Sequence, residues 1–200
     1  MKGNHLVSIV ISLLCLGLCI SMDRIAGQGK ESVVGEFIRG VDASYVTRVE
    51  DKDGEFFHRD GTPGDVFEIM AENGVNYARF RIWNDPPEGY CNEENVLELA
   101  QRAHAAGLKI LIDFHYSDEW ADPDTQIKPV AWQEMPYEEL WAAVYGYTNQ
   151  VVSDMIEQGT PPAMVQIGNE IPAGMLWPGG QVWPEEFNTA EQWARLRDGM

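Results

Sequence analysis

Short apolar runs recur along the chain and alternate with longer segments that have helical spacing. The runs lie at residues 37–43, 76–83, 109–114 and 163–168. Short runs that are rich in apolar residues and bounded by turn signals are typical of buried strands. We therefore predict four strands, and a helix between each strand and the next.

The intervening segments carry start and stop signals for helices. In the first, Thr62 is the predicted N-cap and Pro63 the first helical residue. In each, a glycine is expected to close the helix in a left-handed conformation. The predicted start and the closing glycine of the three helices are Thr62 and Gly74, Asn92 and Gly107, and Pro136 and Gly159. A fourth helix is predicted to begin near Thr189.

This β-α alternation predicts an α/β fold with parallel strands, either a closed (β/α)8 TIM barrel or an open doubly wound sheet. The open sheet usually carries a glycine-rich phosphate loop after its first strand, but residues 41–46 contain none. The barrel is therefore favoured. Because a complete barrel needs about 250 residues, the pattern predicts only the first four β/α units, as the N-terminal part of a longer protein.

The N-terminus has the features of a secretory signal. Lys2 precedes an apolar run from Leu6 to Ile20, which is shorter than the roughly 20 residues needed to span a bilayer. We predict a signal peptide at residues 1–27, a catalytic part at residues 28–200, and a secreted, periplasmic or cell-surface protein without an integral membrane segment after processing. Cleavage after Ser21 and cleavage after Gly27 both fit. A lipid-anchored form on Cys15 or Cys19 is the alternative.

Composition narrows the class of partner. The formal charge is −18, and no Lys/Arg cluster is present that could neutralise phosphates, so we expect no nucleic-acid partner. An uncharged substrate fits better, although acidic surfaces also serve solubility alone. Once the predicted signal is removed, Cys91 is the one remaining cysteine. A domain without an internal disulfide depends on its packed core.

The fourth strand ends in Gly168-Asn169-Glu170, where a parallel barrel places its catalytic groups. Because side chains alternate along a strand, Gln166, Gly168 and Glu170 are expected on one face. We predict that Glu170 is a catalytic acid that protonates a leaving oxygen and, as a carboxylate, later activates water. A helix-capping or surface glutamate is the alternative.

The second and third strands also end in polar and aromatic residues. Arg79, Arg81 and Trp83 share one face, and a buried arginine suits the task of holding a neighbouring carboxylate ionised. The third strand leads into His115, Asp118 and Trp120, where barrel enzymes place substrate contacts. Flat aromatic rings in such loops suit the apolar faces of sugars. The acidic residues here match neither a calcium loop nor a zinc spacing, so we expect no metal.

Four segments, in this order, resemble the arabinogalactan endo-β-1,4-galactanases of glycoside hydrolase family 53. They lie at residues 41–44, 79–86, 113–123 and 166–170, and the third is long and distinctive. The resemblance implies a secreted, retaining endo-hydrolase of β-1,4-galactan, the polysaccharide of pectin side chains. We expect no cofactor in this part of the chain. A calcium site in the other half of the barrel is the alternative.

The resemblance also implies roles for individual residues. Glu170 matches the acid/base, Asn169 the amide that binds the neighbouring sugar hydroxyl, and Arg79 the arginine that orients the nucleophile. Further positions around the cleft are matched by Asp42, Trp83, Asn84 and His115, and we add Arg81, Asp118 and Trp120 as substrate-binding residues.

One part of the family pattern has no counterpart in this chain. The family's nucleophile is a glutamate on the seventh strand, and retention needs two carboxyl groups about 5 Å apart. We therefore expect these 200 residues alone to be inactive and prone to aggregate. The alternatives are a barrel hydrolase of xylan, mannan or cellulose, and a protein that binds polysaccharide without cleaving it.

Overall fold

A computed structural model describes residues 36–199. Its main element is a four-stranded parallel sheet in the order β1-β2-β3-β4. The strands are β1 (Gly40–Asp42), β2 (Tyr77–Ile82), β3 (Lys109–Phe114) and β4 (Met164–Ile167). In a doubly wound sheet the strand order reverses at one point, whereas here each strand is added next to the previous one. This order confirms the prediction of a barrel segment. The predicted signal peptide, with Cys15 and Cys19, lies outside the described residues.

Helices follow the strands in sequence. They are α1 (Val46–Glu50), α2 (Val66–Glu72), α3 (Glu93–Ala105), α4 (Tyr137–Glu157) and α5 (Ala190–Gly199). The predicted start of α3 at Asn92 is confirmed: Asn92 is its N-cap, and its side chain accepts a hydrogen bond from Asn95 N at 2.9 Å. Gly107 and Gly159 follow α3 and α4 with φ of 84° and 88°, the left-handed conformation that was expected of them. No helix within residues 36–199 is long and apolar enough to cross a membrane.

The predicted start of α2 is wrong. The helix begins at Val66, and its N-cap is Asp65, which accepts a hydrogen bond from Phe67 N at 2.8 Å. Thr62 instead donates both its N–H and its hydroxyl to Asp60, at 3.0 and 2.7 Å. Such local side-chain bonds compete with helix formation. They hold Thr62 in a turn, and the helix starts one turn later.

Several short elements were not predicted. The short helix α1 follows β1, and a small hairpin of β5 (Gly174–Met175) and β6 (Gly180–Gln181) occupies the tryptophan-rich loop after β4. A Cβ atom on Gly174 would lie only 3.1 Å from Gln181 Cα and closer still to Gly180. The two backbones approach so closely that this position requires glycine.

The core lies between the sheet and α2, α3 and α4. Phe67 of α2 and Phe80 of β2 are fully buried and meet edge to face with ring centroids 5.9 Å apart. Phe114 of β3 meets Tyr147 of α4 in the same way at 5.8 Å. Each such buried side chain stabilises the fold by roughly 1.5–3 kcal/mol. These apolar residues of β2 and β3 therefore face the helices, and their alternate neighbours face the opposite side.

The outer strands are much more exposed than the inner ones. All three residues of β1 are exposed, Val41 by 37%, and Val165 of β4 is exposed by 41%. Within residues 36–199, no further strand pairs with the outer edge of β1 or β4. Unpaired edges with exposed apolar side chains are sites for association with other strands.

Candidate active site

The face of the sheet that turns away from the helices is polar near the carboxyl ends of the strands. The register places Asp42 beside Arg79, and Arg81 beside Asp113 and Gln166. Because neighbours in register point to the same side of a sheet, these groups converge. The sequence prediction that Arg79 and Arg81 share one face is in accord with this arrangement.

Arg79 is the centre of the cluster. Its guanidinium donates to the carboxylates of Asp42 and Asp113 and, through Nη2, to Asn169 Oδ1 at 3.0 Å. Asp113 has no exposed surface, so its charge depends on these neighbours for compensation. Arg79 therefore holds three strand ends, those of β1, β3 and β4, in one arrangement.

Asp42 stays strongly acidic in this setting. Burial alone would raise its pKa, but the Ser44 hydroxyl and N–H donate hydrogen bonds to Oδ1 at 2.8 and 3.1 Å. With the additional attraction of Arg81 and Arg79, the pKa of Asp42 lies below its usual value. Asp42 is thus an ionised partner for the two arginines, and it is unsuited to donate a proton.

His115 has a defined protonation pattern. Its Nδ1 accepts hydrogen bonds from Trp83 Nε1 at 3.1 Å and from Ala121 N at 3.2 Å. A ring nitrogen that accepts cannot carry a hydrogen, so the neutral ring is protonated at Nε2, which lies 3.1 Å from Asp113 Oδ2. The Nε2 atom is buried and has no aligned hydrogen-bond partner among residues 36–199. Because the side chain has no exposed surface, this hydrogen faces the Asp113 carboxylate, and a substrate contact of His115 stays a prediction.

Arg81 is stacked between aromatic rings. Its guanidinium carbon lies 4.0 Å from the ring centre of Tyr45 and 4.3 Å from that of Trp120. Arg81 itself is 4% exposed, whereas Trp120 is 48% exposed. The cation–π contact with Arg81 fixes the orientation of the Trp120 ring at the rim of the site.

Hydrogen bonds to its side chain and to its backbone fix the orientation of Asn169. Its Nδ2 donates to Ala121 O at 2.7 Å, which fixes the amide so that Oδ1 faces Arg79. Gln126, which is 2% exposed, donates to the backbone oxygens of Asn169 and Glu170 at 2.8 and 3.3 Å. Sequence reasoning missed Gln126, because a lone glutamine in a loop gives no signal before its contacts are known.

Glu170 lies just beyond β4, in a turn that breaks the alternation of the strand. Gly168 and Glu170 both have positive φ, 83° and 50°. The strand ends at Ile167, so the turn, and not the alternation, decides which side chains face the site. Asn169 joins the Arg79 cluster, while Glu170 is exposed and its side chain has no hydrogen bond or ion pair among residues 36–199. Its role as catalytic acid stays a prediction.

Two other predicted site residues have mainly backbone contacts. Asp118 accepts hydrogen bonds from Asp85 N at 3.0 Å and Val130 N at 2.8 Å, so both its oxygens organise loops. Asn84 donates its N–H to Ser117 O at 2.9 Å, and its buried Oδ1 has no partner in the described part of the chain. The substrate-binding roles of Asp118 and Asn84 therefore stay predictions.

The carboxylates of the site are arranged around a guanidinium, since Asp113 and Asp42 are both ion-pair partners of Arg79. No three His, Cys, Asp or Glu side chains within residues 36–199 are grouped so that they could hold an ion. The expectation that this part of the chain needs no metal stays a prediction.

Comparison with known proteins supports the same interpretation of the fold. Two solved structures resemble this chain: one from a study of two fungal β-1,4-galactanases, with a TM-score of 0.74 and 38% identity, and the GH53 catalytic domain of Ignisphaera aggregans, with a TM-score of 0.73 and 42% identity. They match 81% and 82% of this chain, and the matches cover 46% of each of those chains.

Curated relatives that are similar in sequence are also named as galactanases. The endo-beta-1,4-galactanase of Bacillus subtilis (strain 168) is 41% identical over 72% of this chain, and the arabinogalactan endo-beta-1,4-galactanase of Thermothelomyces thermophilus is 40% identical over 79%. The chain spans only 35% and 45% of the lengths of these two proteins. Residues 38–199 match the sequence profile of Glycosyl hydrolase family 53. With most of its length covered by that profile, and with the parallel sheet of the family's barrel, the chain belongs to glycosyl hydrolase family 53.

Proposed function

We propose that this chain is part of a secreted, retaining endo-β-1,4-galactanase in which Glu170 is the acid/base. The observation that carries this proposal is the Arg79 cluster, which fixes Asn169 directly before Glu170. A fixed amide at the end of a barrel strand, followed directly by an exposed carboxyl group, supplies the groups needed to bind a sugar hydroxyl and to protonate the neighbouring glycosidic oxygen.

Each residue has a chemical task in this proposal. Glu170 gives its proton to the oxygen of the leaving sugar as the glycosidic bond breaks, and then takes a proton from the water that releases the product. Asn169 binds the hydroxyl next to the reacting carbon. Trp120 offers its exposed ring to the apolar face of the sugar, and His115, which is fully buried, positions Trp83 by accepting a hydrogen bond from its Nε1.

We further propose that these 200 residues by themselves do not turn over galactan. Retention requires a second carboxyl group at about 5 Å from the first. The two carboxylates of the Arg79 cluster, Asp42 and Asp113, are ion-pair partners of Arg79, and neither lies on the seventh strand, where the family pattern has its nucleophile. The exposed edges of β1 and β4 also favour association of the isolated chain.

A chimera tests the assignment of Glu170. Residues 36–199 would replace the matching segment of a curated galactanase relative, and the product would be assayed on β-1,4-galactan, xylan, mannan and cellulose. We expect endo-cleavage of galactan, and a loss of at least about 10³-fold in kcat for Glu170→Gln with little change in affinity. Glu186→Gln, which alters an exposed carboxylate, is the matched control.

The outcomes of this assay separate the alternatives. A chimera that prefers another polymer would reassign the substrate, and one that binds galactan but does not cleave it would favour a binding protein. Full activity in Glu170→Gln would disprove the proposed acid/base.

Export is tested separately. When the whole chain is expressed, N-terminal sequencing of the released protein should show cleavage after Ser21 or Gly27. Retention in the detergent phase would instead support the lipid-anchored form.

A further inference from the structure

A pocket lies between the loops that follow β1, β2 and β3, next to the rings that stack on Arg81. It has a volume of about 230 Å³, enough for one sugar ring. We call it the rim pocket; its aromatic walls are Tyr45, Trp83, Tyr90 and Trp120, and Arg48 and Glu88 lie at its mouth. The proposed catalytic reaction assigns no task to Tyr45, Arg48, Glu88 or Tyr90.

The aromatic walls are held in place by contacts within the protein. Trp83 is 6% exposed and meets Tyr45 and Trp120 edge to face, with ring centroids 6.3 and 6.0 Å apart. Arg81 is stacked between Tyr45 and Trp120 from behind. The Tyr90 hydroxyl donates to Asp51 Oδ2 at 2.9 Å, which anchors the fourth ring. A pocket whose walls are already ordered loses little entropy when a ligand binds.

The mouth of the rim pocket combines a donor and an acceptor. Arg48 Nη2 lies 3.1 Å from Glu88 Oε2; the side chain of Glu88 is exposed, and that of Arg48 is partly exposed. The guanidinium carbon of Arg48 lies 5.1 Å from the Tyr45 ring centre and 5.7 Å from that of Tyr90. The guanidinium keeps further N–H groups for hydroxyls, and the carboxylate accepts from a neighbouring hydroxyl.

The charge balance argues against anionic ligands. Arg48 is compensated by Glu88, and the carboxylates of Asp118 and Glu119 also line the pocket. A phosphate or an acidic peptide would therefore meet net repulsion. A neutral ring with one apolar face and several hydroxyls satisfies both the aromatic walls and the polar mouth.

We propose that the rim pocket is an accessory subsite for one neutral sugar ring. The ring stacks on Tyr90, and two of its hydroxyls bond to Arg48 and Glu88. The inference rests on the proposed function for the identity of the polysaccharide. A galactose of the main chain and an arabinose of a side branch share this chemistry, and the test below distinguishes the two sources.

Titration of the purified 200-residue chain with oligosaccharides, followed by tryptophan fluorescence at low protein concentration, tests the proposal. One series uses linear β-1,4-galacto-oligosaccharides, and the other uses the same oligosaccharides with arabinose branches. We expect a saturable change in fluorescence, and at least a fivefold weaker affinity in Arg48→Ala and in Glu88→Gln. Arg197→Ala, which alters an exposed arginine on α5, is the matched control and should bind like the wild type.

Glu88→Gln keeps the aromatic packing, so it reports on binding even where Arg48→Ala disturbs the fold. Tighter binding of the branched series assigns the subsite to arabinose, and equal or tighter binding of the linear series assigns it to main-chain galactose. Absence of saturable binding, or wild-type affinity in both Arg48→Ala and Glu88→Gln, overturns the proposal. The readout is separate from catalysis: Glu170→Gln in the chimera tests hydrolysis, and the same change in the chain leaves binding at the rim pocket intact.

Discussion

Arg79 Nη2 donates a hydrogen bond to Asn169 Oδ1 at 3.0 Å, although the two residues are 90 positions apart in the chain. The bond connects the second strand to the turn that carries Glu170. Asn169 is also held by Ala121 O, in the loop after β3. The position of the proposed acid/base therefore depends on contacts between separate β/α units, and the predictions below test those contacts.

Arg79→Ala should destabilise the chain strongly. It leaves the charge of Asp113, which has no exposed surface, without its guanidinium partner. Loss of one partner from a buried pair costs roughly 3–5 kcal/mol. The free energy of unfolding, measured by urea titration, should fall by about this amount.

The double variant Arg79→Ala/Asp113→Asn is the control for that prediction. Removing the charge of Asp113 as well should restore part of the lost stability, because no unpaired carboxylate remains buried. If the double variant is less stable than Arg79→Ala by the full cost of Asp113→Asn alone, the two residues are not coupled.

Gln126→Ala tests the support of the Glu170 turn. The change removes the N–H donors that bond the backbone oxygens of Asn169 and Glu170. We expect a loss of about 1–3 kcal/mol in the free energy of unfolding, since buried acceptors lose their partner. In the chimera, kcat should fall more than affinity. Gln133→Ala, in an exposed position on a neighbouring segment, should change neither quantity.

Gly168→Ala should cost more stability than Gly107→Ala. Both glycines have positive φ, 83° and 84°, so both variants incur a backbone penalty of roughly 1–2 kcal/mol. A Cβ at Gly168 would also lie 2.8 Å from Ile171 Cγ2 and 2.9 Å from Met175 Sδ, whereas nothing lies within 4 Å at Gly107. We expect a further loss of about 1–3 kcal/mol from overpacking. Equal melting temperatures for the two variants would show that the Gly168 turn can relax.

Glu93→Gln should change how stability depends on pH. Burial, with a further contribution from the neighbouring Asp154 carboxyl, raises the pKa of Glu93 to about 7 from 4.5. Between these values the folded chain binds more protons than the unfolded chain, so stability falls as pH rises from 4.5 through about 7. Because Glu93 is partly exposed, we expect an effect of only about 1 kcal/mol.

The difference in free energy of unfolding between wild type and Glu93→Gln, followed from acidic to alkaline pH, isolates this group from all other titrations. The difference should move in favour of the glutamine variant as pH rises. Glu98→Gln, an exposed change on the same helix, should give a curve parallel to that of the wild type. A Glu93→Gln curve that is also parallel would contradict the raised pKa.

Hydrophobic spacing in the sequence was enough to predict the four parallel strands and their order, but not α1 or the β5-β6 hairpin. The third predicted strand, 109–114, coincides with β3, and the predicted start of α3 at Asn92 was correct, because burial of one face and helix initiation depend on residues close in sequence. The start of α2 was wrong because Asp60 competes for Thr62, and only the conformation of the turn decides such a competition.

Only the tertiary structure decided which groups of the site meet. The sequence marked Arg79, His115 and Asn169 as candidates, but the central place of Asp113 and the support from Gln126 emerged only when strand ends more than thirty residues apart were brought into register. Propensity and capping depend on a few neighbouring residues, whereas the partners of a buried charge are fixed by how whole strands align. For that reason the sequence alone determined the barrel segment, and folding determined the network that holds Asn169 and the turn next to the candidate acid.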